Sequence, residues 1–208
     1  MHGGAQAALL QSQGDTSHVI NSLREQVPMF SVLDVRVRRS LSEAEARFLS
    51  ADLKYDPSAT VHGYCKGLEI YLKRTIFDPF KLHIEAREDS DSIVTQAKSD
   101  KKAGQFNALM RLFSSGFIEL GGMLKSIELS AGKTADRVEL LAALRSYLSL
   151  RHPTLLDAES QENLNLITEN FRNPSAHDSV LPEEAISKVR SLTLNLLAEL
   201  TDFRVARR

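Results

Sequence analysis

Residues 171–203 read FRNPSAHDSVLPEEAISKVRSLTLNLLAELTDF, and this stretch decides the fold class. After Pro182, the residues Ile186, Val189, Leu192, Leu196, Leu197, Leu200 and Phe203 recur every three or four positions, the spacing of an amphipathic helix. Glu183 and Glu184 stand in its first turn, and Arg204, Arg207 and Arg208 at its end, each charge suited to the dipole end it faces. Upstream, Ser160 to Phe171 repeats the pattern with Leu164, Ile167 and Phe171. Arg172 to Asp178 is therefore a link between two helices, broken by Pro174.

The same periodicity continues toward the N-terminus. Thr134 is expected to cap a helix carrying Val138, Leu141, Leu144 and Leu148, which Pro153 ends. Ile118, Leu120, Met123, Leu124 and Ile127 mark a helix that Gly132 is expected to close in a left-handed turn, and Phe106, Leu109, Met110 and Phe113 mark another. Asp56 and Pro57 open a long amphipathic helix through Val61, Tyr64, Leu68 and Leu72, and Asp78-Pro79 restarts the chain after Phe77. The polar run from Glu85 to Lys102 reads as a loop or a helix edge. Ser40 with Glu43, or Ser42 with Glu45, forms a capping box for a helix ending near Tyr55. Leu33, Val35 and Val37 alternate with charged residues as a short half-buried strand would. Ser17 to Val27 is weakly helical up to Pro28, and Met1 to Asp15 reads as a loose tail. The expectation is an all-α bundle of about five core helices over 56–208, preceded by a tail and extension over 1–55 that holds one short strand.

Composition narrows the function classes. Of the 208 residues 42% are hydrophobic and 25% charged, with only 10 Gly and 6 Pro, which describes a globular, helix-rich chain. One cysteine, Cys65, excludes an internal disulfide framework and a cysteine-based zinc cluster and points to a reducing compartment, read as the cytoplasm. A net charge of -1 gives no global case for nucleic-acid binding, so any RNA contact has to be local, with Lys98, Lys101, Lys102, Arg204, Arg207 and Arg208 as candidates beside their ordinary role as solvated charges. No apolar run is long enough for a membrane span, and the first 15 residues lack the pattern of a signal peptide.

Several familiar motifs fail on inspection. Gly132-Lys133-Thr134 lacks the glycine a P-loop needs five positions earlier, where Ile127 stands. His62 and Cys65 lie one helical turn apart but have no further ligands to complete a metal site, and His83 with Glu85 and His152 share that weakness. No G-x-S-x-G elbow occurs. No metal and no cofactor is expected.

The link Arg172-Asn173-Pro174-Ser175-Ala176-His177-Asp178 is different. In an unbroken helix Arg172 and His177 would stand about 140° apart around the axis and could not share a target. Pro174 breaks that helix, Asn173 becomes a natural cap, and a new turn beginning at Pro174 would aim free N–H groups at an anion. Arg172 offers a planar two-pronged donor suited to phosphate, and His177 is the side chain best suited to move a proton near neutral pH. The alternative is an interhelical turn with Arg172 paired to a carboxylate and His177 packed on a neighbouring helix.

This segment resembles the R-x4-6-H signature of the HEPN superfamily of helical domains: Arg172, four intervening residues and His177 match it, and Asn173 matches the polar residue that often follows the arginine. The resemblance extends to Gly63-Tyr64-Cys65-Lys66-Gly67-Leu68-Glu69-Ile70-Tyr71-Leu72, similar to the long first helix of these domains, and to Glu119-Leu120-Gly121-Gly122-Met123-Leu124, similar to a leucine-glycine turn of some members. It covers 56–208 and leaves 1–55 outside. It implies a HEPN-like bundle that works as a homodimer, two Arg-His pairs facing each other in a composite active site, and metal-independent cleavage of RNA to 2′,3′-cyclic phosphate ends. In that scheme His177 is general base or acid, Arg172 stabilises the phosphorane, Asn173 holds the substrate, Asp178 adjoins His177, and Glu69 is a candidate partner for Arg172. The resemblance further implies a toxin or antiviral defence setting, with an antitoxin or defence-complex partner. Ser179 stands where toxins silenced by a nucleotidyltransferase carry a tyrosine, so that mode of control is absent from the motif. The competing expectations are a non-catalytic HEPN-like dimerisation or interaction module of a larger defence complex, and a nucleotide-binding sensor using the same anion site.

Overall fold

The structure is a computed structural model that describes residues 16–50, 57–101, 103–172 and 181–205. Every regular element among the described residues is a helix, and no strand occurs among them. A helical stretch at 16–26 (α1) is followed by nine further α-helices: α2 Val35–Leu49, α3 Pro57–Leu72, α4 Asp78–Glu85, α5 Ser90–Ser99, α6 Asn107–Ser115, α7 Leu120–Ala131, α8 Glu139–Arg151, α9 Ala158–Ile167 and α10 Glu183–Val205. Among the described residues no helix is long and apolar enough to cross a membrane.

The expected strand is a helix start. The Asp34 carboxylate accepts the Arg36 N–H at 2.8 Å and caps α2. The alternation of Leu33, Val35 and Val37 has no structural meaning: Val35 is 64% exposed, while Leu33 packs inward just before the helix and Val37 begins the buried stripe Val37, Leu41, Ala44 and Glu45. The expected capping boxes fall inside α2, where the Ser40 hydroxyl donates to the Gly63 carbonyl at 3.0 Å, and α2 ends at Leu49 rather than near Tyr55. Asp56, the expected cap of α3, lies outside the described residues, as does the loose tail.

Five core helices was an undercount. The polar run after Glu85 folds as α5, because Ile93 and Ala97, four residues apart, suffice to bury one narrow stripe. The restart at Asp78-Pro79 is not a break but a π-turn, Lys73–Phe77, that carries α3 into α4. In an α-helix the Pro79 ring would strike the carbonyl four residues back; here the turn widens, and the Asp78 N–H reaches the Lys73 carbonyl. Gly132 has φ -88 and so does not close α7 in a left-handed turn, and no side-chain cap forms at α8. The turn is tied instead by Arg145, which donates to the Ser130 and Gly132 carbonyls and to Asp136. The left-handed helix end is at Gly116, φ 70, after α6.

The chain divides into two compact units. One comprises residues up to Gly67 together with Glu169–Asp202; the other comprises Leu68–Thr168 and the residues from Phe203. In the first unit, α2 and α3 approach closely at Gly63 and Gly67: a Cβ at Gly63 would lie 2.9 Å from the Ala44 Cβ, and one at Gly67 2.6 Å from the Leu41 side chain. In the second, α7 packs against α6, α8 and α9, and Phe80 meets Phe113 and Tyr147 edge to face at 6.1 and 5.5 Å.

Gly122 sets the α6–α7 distance, since a Cβ there would lie 2.4 Å from the Ala108 Cβ. Gly122→Ala is expected to cost about 1–3 kcal/mol of stability by forcing the two helices apart. Chemical denaturation of the variant, with Gly104→Ala as the control in open space, checks this.

Candidate functional site

Arg172 is the last residue of a second π-turn, Thr168–Arg172, which continues α9. Thr168 donates its hydroxyl to the Leu164 carbonyl at 2.9 Å, and Phe171 is buried, so the backbone arriving at Arg172 is held on both sides of the turn. The Arg172 side chain, Asn173, His177 and Asp178 lie outside the described residues, so the geometry of the Arg172–His177 pair is not part of the described structure. The chain is described again from buried Leu181 and exposed Pro182; the Pro182 carbonyl accepts the Ala185 N–H at 3.0 Å as α10 begins.

Glu69 sits half-buried on α3, and its Oε2 accepts the Leu120 N–H at 3.2 Å. It thereby serves the start of α7, where Glu119 provides no side-chain cap. The two outlying segments of the HEPN resemblance are thus in direct contact, Glu69 of one with Leu120 of the other. Within the second of these segments the glycines bring α7 close to other helices, Gly121 lying against Thr168 and Gly122 against Ala108.

The other candidates are scattered. Lys98 and Lys101 are exposed, while Lys102, the Arg204 side chain, Arg207 and Arg208 lie outside the described residues. His62 faces solvent while Cys65, three residues on, is buried in the core, so the pair does not share a surface. His83 packs beside Tyr147, with 5.6 Å between ring centroids. Among the described residues no three His, Cys, Asp or Glu side chains are grouped to hold a metal ion.

The most strongly organised polar cluster in the described structure was missed from the sequence. Glu45, with no exposed side-chain surface, accepts four hydrogen bonds: from Arg190 Nε and Nη2 at 2.9 and 2.7 Å, from Tyr64 Oη at 2.6 Å and from Ser22 Oγ at 2.6 Å. Arg190 also donates to Ser22 Oγ at 3.2 Å and lies over the Phe48 ring at 4.8 Å. Burial by itself would raise the Glu45 carboxyl pKa, but the bonds from Arg190, Ser22 and Tyr64 outweigh it and hold the group below its ordinary value. The Tyr64 hydroxyl is pushed up by burial and by the carboxylate it serves, and the Arg190 guanidinium is raised by its bond to Glu45. With both carboxylate oxygens occupied, the cluster acts as a structural tie. One signal could have revealed it: Glu45 falls on the same helical face as Val37, Leu41 and Ala44.

Compared with protein-family models, curated proteins and solved structures, the chain matches none.

Glu45→Ala is expected to cost about 3–5 kcal/mol, because it strands a largely buried guanidinium. The pH dependence has a definite sign. A carboxyl held below its ordinary value of 4.5 contributes stability that is complete above that pH and is lost as pH falls through the lower folded value. Denaturant titrations from neutral to acid pH should therefore find wild type losing stability below pH 4.5 more steeply than Glu45→Gln, so that the gap between them narrows.

Proposed function

We propose that the chain is a metal-independent endoribonuclease of HEPN type, acting as a homodimer in a toxin or antiviral defence system. The observation that carries this reading is the Arg172–His177 spacing around Pro174, in the link between α9 with its π-turn and the terminal helix α10. Two further features support it: the helix-only architecture, and the contact of Glu69 with Leu120 between the other two segments that resemble the family.

The chemistry follows from the residue types. His177 takes the proton of the RNA 2′-hydroxyl as it attacks the adjacent phosphorus, or delivers one to the departing 5′-oxygen. Arg172 places its paired N–H donors on the charged phosphorane oxygens, where charge builds up in the transition state. Asn173 holds the substrate, and Asp178 adjoins His177. Two copies facing each other supply an Arg-His pair each. The products are a 2′,3′-cyclic phosphate and a free 5′-hydroxyl. An antitoxin or a defence-complex partner would restrain or trigger such an enzyme.

The test is incubation of a mixed RNA pool in EDTA with the wild-type chain and with His177→Ala, followed by chemical identification of the new ends. Cyclic-phosphate ends formed by wild type should fall about 10²–10⁴-fold in the variant, the range for loss of a positioned acid or base. Absence of cleavage by folded wild type at high concentration would overturn the reading and leave the link as part of a non-catalytic interaction module.

A further inference from the structure

We draw no further inference here: the strongest candidate, the groove of about 320 Å³ along the outer face of α8 that His83 of α4 and Arg87 of the following turn close on its other side, has exposed Leu150 in its lining but carries nothing, because nothing among the described residues shows what covers it.

Discussion

A fully buried carboxylate is costly, because removing an ion from water costs several kcal/mol unless charge and hydrogen bonds replace its hydration. Glu45 meets that condition with four donors, and they come from three other helices: Ser22 on α1, Tyr64 on α3 and Arg190 on α10. The first unit can therefore close only in the arrangement that brings all of them to one point. A slip of α2 by one residue would turn Glu45 away from Arg190 and leave an apolar pocket around an unpaired charge. The glycines of α3 serve the same end, since Gly63 and Gly67 let α2 come near enough for Tyr64, on the same helix, to reach Glu45. Residues 16–50 are by this account part of the packing of the first unit, tied by Ser22 and Glu45 to the last helix.

The two π-turns are a second constraint, written into the chain as a repeated local pattern. Lys73–Phe77 is followed two residues later by Pro79, and Thr168–Arg172 two residues later by Pro174. A wider turn ahead of the proline spares the clash with the carbonyl four residues back, which is how α3 continues into α4 with the Lys73–Asp78 ion pair bridging the turn. Wide turns of this kind recur at functional sites because they redirect the side chains that follow.

The candidate site was legible to different depths. Pro174 and the flanking apolar periods mark Arg172 to Asp178 as a link between helices from local chemistry alone. The contact of Glu69 with Leu120 was not legible, because a carboxylate on a helix face carries no local mark that it accepts the N–H of a residue 51 positions away. The strand expected at Leu33 to Val37 shows the reverse error. Three residues can alternate by chance, and the Asp34 cap, which decides in favour of a helix, competes with that pattern within the same window. In α5 the apolar stripe is only Ile93 and Ala97, too narrow to stand out against its polar neighbours.

The sequence by itself determined the all-α class, the positions of the longest helices and the prolines that stand at several of their ends. Periodicity and proline sterics are local, and they act wherever the rest of the chain lies. Only the tertiary structure decided which polar groups are buried and what they hold together. Glu45 is a surface-like residue until Ser22, Tyr64 and Arg190 arrive from 23, 19 and 145 residues away, and their arrival is a property of the packed helices that no window of sequence contains.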